Sequence, residues 1–120
     1  MIRIFTSPTQ STGEKGESAA VQYLKKEGFV IVERNVAGKY GEIDIVARKG
    51  KTHYFFEVKA GRVGSSIHPA ENLHPAKIRK FLLTVEHYCL IHQIGDYRAQ
   101  GVIVLQKPDG AYTVETIELN

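Results

Sequence analysis

Four charged residues in this sequence have the types and spacing that could support metal-assisted chemistry. Glu42 and Asp44 are two positions apart, and so are Glu57 and Lys59; apolar and aromatic residues surround both pairs. Residues two apart in a β-strand share a face, so each strand would present two functional groups on one side of the sheet.

The turn between the two segments decides whether the pairs meet. If Lys49-Gly50 is a two-residue hairpin loop, Glu42 lies opposite Glu57, and Asp44 lies diagonal to Glu57. A four-residue loop keeps this parity, whereas a three-residue loop would turn one strand over. The expected register therefore brings three carboxylates and Lys59 onto one face.

Carboxylates that share a face repel one another unless a proton or a cation lies between them. Oxygen ligands suit Mg²⁺ or Mn²⁺, which usually take one or two carboxylates and keep water for substrate phosphates. A lysine two residues after such a carboxylate could stabilise an attacking hydroxide or the charge on phosphoryl oxygens. The alternative is that Glu57 and Lys59 form an ordinary ion pair at a strand end.

Glu17 is a further acidic candidate, on a predicted helix. It precedes Ala20 by three residues and Leu24 by seven, which places it on the apolar stripe of that helix. A carboxylate buried there needs a partner, because desolvating an unpaired charge is costly. Alternatively, Glu17 is a first-turn acid that favours the helix N-terminus. The residue types leave both interpretations open.

Positive charge is concentrated in the middle third of the chain. Residues 48–80 carry eight Lys or Arg and two Glu, a net charge of +6, in a chain whose total is +3. Clustered cations favour a polyanionic partner, because they release counterions from a phosphate backbone. We expect Arg62, Lys77, Arg79 and Lys80 to bind nucleic acid; a solvated basic face without a partner is the alternative.

Apolar periodicity predicts the elements that position these residues. Helices are expected at 13–27 and 75–93, and strands at 29–32, 42–47, 52–58, 101–106 and 112–119. The continuous apolar centre of 52–58 predicts a strand in the middle of the sheet. The order αβββαββ therefore predicts an α/β fold with a central mixed sheet flanked by helices.

Length and composition fit one globular domain, with 120 residues, 42% apolar and 24% charged. We predict a flexible segment at 1–12 and a single domain at 13–120. One cysteine, Cys89, excludes an intramolecular disulfide and a zinc site of several thiolates. We expect no signal peptide, no membrane partner and a cytoplasmic location.

Four motifs together resemble the UPF0102 (YraN-like) family. They are Gly16-Glu17-x-x-Ala20-x-x-Tyr23-Leu24, Glu33-Arg34-Asn35, Gly41-Glu42-Ile43-Asp44 and Phe56-Glu57-Val58-Lys59. That family is similar to PD-(D/E)xK nucleases and, more closely, to archaeal Holliday-junction resolvases. The resemblance covers residues 13 to about 101 and implies a restriction-endonuclease-like fold.

The resemblance also implies roles for the candidate residues. Asp44 and Glu57 would be metal ligands, Lys59 would be the catalytic lysine, and Glu17 would complete the metal site directly or through water. Glu42 belongs to the family motif and would support the site. The chain departs from the family pattern at two places, where it has Ala60-Gly61-Arg62 after the lysine and Arg98-Ala99-Gln100 near a later strand.

The sequence thus predicts an endonuclease dependent on Mg²⁺ or Mn²⁺ that hydrolyses phosphodiester bonds in DNA, branched or single-stranded, with little sequence preference. The alternatives are a non-catalytic nucleic-acid-binding module on the same fold and an RNA-processing nuclease. A homodimer is suggested only by the resolvase relatives.

Overall fold

The computed structural model of the protein describes residues 2–6, 12–65 and 68–120. These residues form β1 (Ile2–Thr6), α1 (Thr12–Lys26), β2 (Val30–Ala37), β3 (Glu42–Lys49), β4 (Thr52–Arg62), α2 (Pro75–His92), β5 (Tyr97–Gln106) and β6 (Ala111–Glu118), with a 3-10 helix at Pro69–Asn72. No helix within the described ranges combines the length and apolar character needed to cross a membrane.

The six strands form one sheet in the order β1-β6-β5-β4-β3-β2. Strands β4 and β5 pair in parallel, and the other neighbouring strands pair antiparallel. Helices α1 and α2 pack on opposite faces, each over its own apolar core. This arrangement confirms the predicted mixed α/β fold class and is consistent with a restriction-endonuclease-like architecture.

Strands β3 and β4 contribute to both cores, which explains the apolar runs at their centres. Phe56 belongs to the same core as Leu24 of α1, whereas the neighbouring Phe55 belongs to the core of Val85 on α2. All four side chains are fully buried. Alternate residues of a strand face opposite sides, so a strand covered on both sides must be apolar at consecutive positions. The central position predicted for 52–58 is therefore correct.

Strand β4 is longer than predicted, and it reaches Arg62 instead of ending at 58. Its parallel ladder with β5 runs from the pair His53 and Tyr97 to the pair Arg62 and Gln106. The glycine-rich sequence after Lys59 favours a loop locally, but ten consecutive pairs with β5 override that preference. The catalytic-lysine candidate consequently lies within the sheet.

Residues 2–6 form β1, although the sequence analysis assigned 1–12 to a flexible segment. The strand pairs antiparallel with β6, from Ile2 opposite Glu115 to Thr6 opposite Ala111. The flexible assignment was wrong for these residues, because its signal was local whereas the ladder partner lies about a hundred residues away in the chain. Residues 1 and 7–11 of that predicted segment lie outside the described residues.

The hairpin between β3 and β4 turns at Gly50-Lys51, not at the predicted Lys49-Gly50. Lys49 pairs with Thr52, and the ladder continues to the pair Ile45 and Phe56. Gly50 has φ 63°, and a positive φ at the first of two loop residues is the feature that favours glycine in a type II′ turn. The register is shifted by two residues, so the predicted parity is kept, but Asp44 takes the place expected for Glu42.

Helix α1 approaches the sheet closely at its glycine. A Cβ added at Gly16 would overlap the Cβ of Ala60 on β4. Gly16 therefore sets the distance between the helix and the strand, and with it the position of the adjacent Glu17.

We expect Gly16→Ala to lower the free energy of unfolding by about 1–3 kcal/mol, the usual cost of overpacking, despite the better helix propensity of alanine. Adding Ala60→Gly removes the overlap, so the double variant should recover part of that loss. Urea unfolding of the four proteins measures the coupling between the two sites, and additive effects would contradict the close contact.

Candidate active site

The candidate site begins where the β3–β4 ladder ends. Ile45 and Phe56 are the last paired residues on this side of the hairpin. The next amide of β4 that faces β3, the backbone N–H of Val58, donates to Oδ2 of Asp44 at 2.7 Å. A side-chain carboxylate thus replaces the backbone acceptor at the end of the ladder.

The regular alternation of β3 breaks at the same place. Ile43 and Val46 both pack in the α2 core, whereas Ile45 packs in the α1 core. In an unbroken strand, Ile43 and Ile45 would share a face. The break lets Asp44 reach the backbone of β4 and remain half-buried.

Glu57 and Lys59 form the second part of the site. Nζ of Lys59 lies 3.5 Å from Oε1 of Glu57, and the two side chains are 25% and 17% exposed, respectively. The other carboxylate oxygen of Glu57, Oε2, is buried and has no hydrogen-bond partner among the described residues. Such an oxygen is costly to bury unsatisfied, so this position is suited to a cation.

Asp44 experiences the charges of all three other sequence-predicted catalytic residues. Burial raises the pKa of Asp44 above its usual range, and the Val58 N–H opposes that shift. The carboxylates of Glu17 and Glu57 raise the pKa of Asp44 further, whereas the Lys59 ammonium lowers it. The fold therefore brings Glu17, Asp44, Glu57 and Lys59 into one electrostatic environment.

Glu17 has a cationic partner on β2. One Nη of Arg34 donates to Oε1 of Glu17 at 3.2 Å, across a partly exposed ion pair. An exposed pair of this kind contributes little stability, so its main effect is to hold the carboxylate in place. Arg34 was not among the predicted site residues, although its presence in the Glu33-Arg34-Asn35 motif was the available signal.

The described residues contain no group of three or more His, Cys, Asp or Glu side chains that could hold a metal ion by themselves. The carboxylates of Glu17 and Glu57 are nevertheless near enough to raise the pKa of Asp44, and Oε2 of Glu57 has no hydrogen-bond partner among the described residues. This donor set suits Mg²⁺, which usually takes one or two carboxylates and completes its shell with water and phosphate oxygens.

A groove of about 170 Å³ opens beside Glu57. Lys77 and Lys80, from the first turns of α2, line this groove. Tyr40, in the β2–β3 loop, and Glu42, the first residue of β3, also line it. Glu42 is exposed and borders this groove, so its position differs from the sheet-face position opposite Glu57 that the sequence predicted. The lysines place positive charge next to the carboxylates.

The predicted nucleic-acid-binding residues separate into two groups. Lys77 and Lys80 border the groove, whereas Arg79 lies on the outward side of α2 beside Leu83, and Arg62 lines a different depression near Lys107. Residues 77 and 80 are three apart on the helix and share a face, whereas residue 79 does not. Of the four predicted nucleic-acid-binding residues, the structure therefore places Lys77 and Lys80 at the groove.

We expect Asp44→Asn to raise the free energy of unfolding at pH 7 in the absence of metal. Asparagine keeps an acceptor for the Val58 N–H and removes the charge that burial and two carboxylates oppose. The folded-state pKa of Asp44 lies above its unfolded value of 3.8, so wild-type stability is lost as pH rises through the folded pKa. Urea unfolding at several pH values should show that the difference in free energy of unfolding between Asp44→Asn and the wild type shrinks to zero at about pH 3.

Asp109→Asn is the matched control for this measurement. Asp109 also accepts a backbone N–H, from Ala111 at 2.9 Å, but its side chain is 65% exposed. An equal gain in the free energy of unfolding in both variants, or no gain in Asp44→Asn, would contradict the inference that the surroundings of Asp44 disfavour its negative charge.

Comparison with known proteins places most of the chain in one family. The model of "Uncharacterised protein family UPF0102" matches residues 16–106. A UPF0102 protein of Campylobacter lari is 37% identical over 97 residues, covering 81% of this chain and 85% of the relative. A UPF0102 protein of Thermotoga maritima is 40% identical over 107 residues, covering 88% and 95%. The chain therefore belongs to the uncharacterised protein family UPF0102.

Proposed function

We propose that this protein is a metal-dependent nuclease that hydrolyses phosphodiester bonds in DNA. The observation that carries the proposal is that Asp44 is bound to the β4 backbone between Glu57 and Lys59, and that Glu57 borders a groove with two further lysines. Carboxylates hold a hard cation, and lysines attract phosphate. Together they form a site that suits an anionic phosphodiester and its hydrolysis.

The carboxylate oxygens fit Mg²⁺ or Mn²⁺ better than a soft metal, which would favour thiolates. Asp44 and Glu57 would hold the ion, with Glu17 as a direct or water-mediated partner. The buried, unsatisfied Oε2 of Glu57 supports this assignment. When bound, Mg²⁺ supplies positive charge that polarises the phosphoryl group and favours attack by water.

Lys59 supplies the protein's own cation in the reaction. Its Nζ is held near Oε1 of Glu57, at 3.5 Å, on the same strand. From this position an ammonium can orient the attacking water by hydrogen bonding and stabilise charge on the phosphoryl oxygens. The Val58 N–H keeps Asp44 in place, and Arg34 keeps Glu17 in place, so the acidic groups need little rearrangement.

Lys77 and Lys80 would contact the phosphates on either side of the cleaved bond. Contacts of this kind position the nucleic acid without reading its bases, so we expect little sequence preference. The same contacts make binding depend on salt, because each neutralised phosphate releases counterions.

We expect metal-dependent cleavage by the wild type and its loss in Lys59→Met and Glu57→Gln. Each variant is close in size to the native side chain, and each should cut at least about 100-fold more slowly, the usual effect of removing one electrostatic group. The substrates are labelled duplex, single-stranded, flapped and four-way-junction DNA, and RNA, in Mg²⁺, Mn²⁺ or EDTA. Lys107→Ala, on the β5–β6 turn, is the control and should cut like the wild type.

Binding without cleavage of any substrate in any metal would refute the nuclease proposal and favour a non-catalytic binding module. Cleavage of RNA alone would refute DNA as the substrate but would support metal-dependent phosphodiester hydrolysis.

We expect Lys77→Ala and Lys80→Ala each to weaken DNA binding and to reduce the slope of log affinity against log salt by about 1. Arg79→Ala is the matched control, because Arg79 lies on the same helix but outside the groove. Fluorescence anisotropy in EDTA over a range of salt concentrations gives both quantities. Equal effects of all three substitutions would argue for a diffuse basic surface instead of this groove.

A further inference from the structure

A tight loop between β2 and β3 presents an aromatic side chain at the groove. The backbone N–H of Gly38 donates to the carbonyl of Gly41 at 2.7 Å, which closes the loop. A Cβ at Gly38 would lie 2.8 Å from Cγ2 of the buried Thr84 on α2. The loop is thus seated directly on α2, and Lys39 and Tyr40 occupy its tip.

Tyr40 is held in a defined orientation although much of it is exposed. Its ring meets His87 edge-to-face, with centroids 6.2 Å apart and planes at 89°. Nζ of Lys39 lies 5.5 Å from the ring centroid. The side chain is nevertheless 43% exposed, and it borders the groove that contains Glu57, so an aromatic surface is available beside the site.

Exposed aromatic rings next to lysines are typical of surfaces that bind unpaired nucleotides. Bases of a single strand stack on aromatic side chains, while the cations follow the phosphate backbone. A base inside a duplex is already stacked on its neighbours and cannot offer its face to a protein ring. The groove with Lys77, Lys80 and Tyr40 therefore matches an unpaired strand better than an intact duplex.

We propose that Tyr40 stacks on an unpaired base next to a phosphate held by Lys77 and Lys80, so that the protein selects nucleic acid with unpaired nucleotides. This inference rests on the proposed nuclease function and narrows its substrate class. The recognised chemistry is a splayed nucleobase joined to its phosphate, which both DNA and RNA can provide. Because Gly38 and Thr84 hold the loop in place, little ordering of the protein is needed on binding.

Anisotropy in EDTA tests this inference without relying on catalysis. The probes are a labelled single-stranded DNA, its RNA equivalent and a blunt duplex of the same sequence, at one salt concentration. Tyr40→Ala should weaken single-strand binding by about 5- to 150-fold, the effect of losing one base–aromatic stack, and change duplex binding less than about twofold. Tyr40→Phe keeps the ring and should bind like the wild type.

Leu83→Ala is the matched control, because Leu83 is 41% exposed on the outer side of α2, outside the groove. It should change neither affinity. A single strand carrying 2-aminopurine, a fluorescent base whose emission falls on stacking, gives a second readout. Its emission should decrease on binding to the wild type and Tyr40→Phe, but not to Tyr40→Ala.

The outcomes separate this inference from the nuclease proposal. If the wild type binds nucleic acid and Tyr40→Ala binds every probe equally well, the stacking inference is wrong and the nuclease proposal stands. Equal losses on duplex and single strand would also overturn it, because they would indicate a general effect on the surface. A wild type that neither binds nor cuts any nucleic acid would overturn the nuclease proposal itself.

Discussion

The hydrogen bond from the Val58 amide to Asp44 is the interaction on which the site depends. A backbone N–H in the interior of a sheet needs an acceptor, and here the acceptor is a charged side chain 2.7 Å away. The bond fixes the carboxylate at the end of a ladder and partly offsets the cost of burying its charge. The residues of β3 that precede Ile45 have no backbone partner on β4, so this bond links the two strands beyond the end of their ladder.

The faces of the central strands could be predicted from the sequence, because side-chain alternation depends only on local geometry. The pairs Glu57 with Lys59 and Ile45 with Ala47 follow that rule. The helix that carries Glu17 could be predicted for a similar reason, since its apolar residues recur at the spacing of a helical turn. Even the error at the hairpin was limited, because a shift of two residues preserves which side each residue faces.

Other features could not be predicted, because they depend on contacts between distant segments. Strand β1 exists through its ladder with β6, and β4 extends to Arg62 through its ladder with β5. The partner of Glu17 is Arg34, and a charged residue in a short motif does not reveal which acid it meets. The place of Tyr40 at the groove could not be predicted for the same reason, because it depends on α2, which begins more than thirty residues later.

The seating of the β2–β3 loop on α2 has a consequence for how the surface can vary among related proteins. Oγ1 of Thr84 donates to the carbonyl of Lys80 at 2.9 Å, while its methyl group lies under Gly38. The buried Thr84 therefore contacts both the helical turn that carries Lys80 and the loop that carries Tyr40. Replacing it by a bulkier residue would move both at once, so divergence at this position would require compensating changes in two segments of the chain.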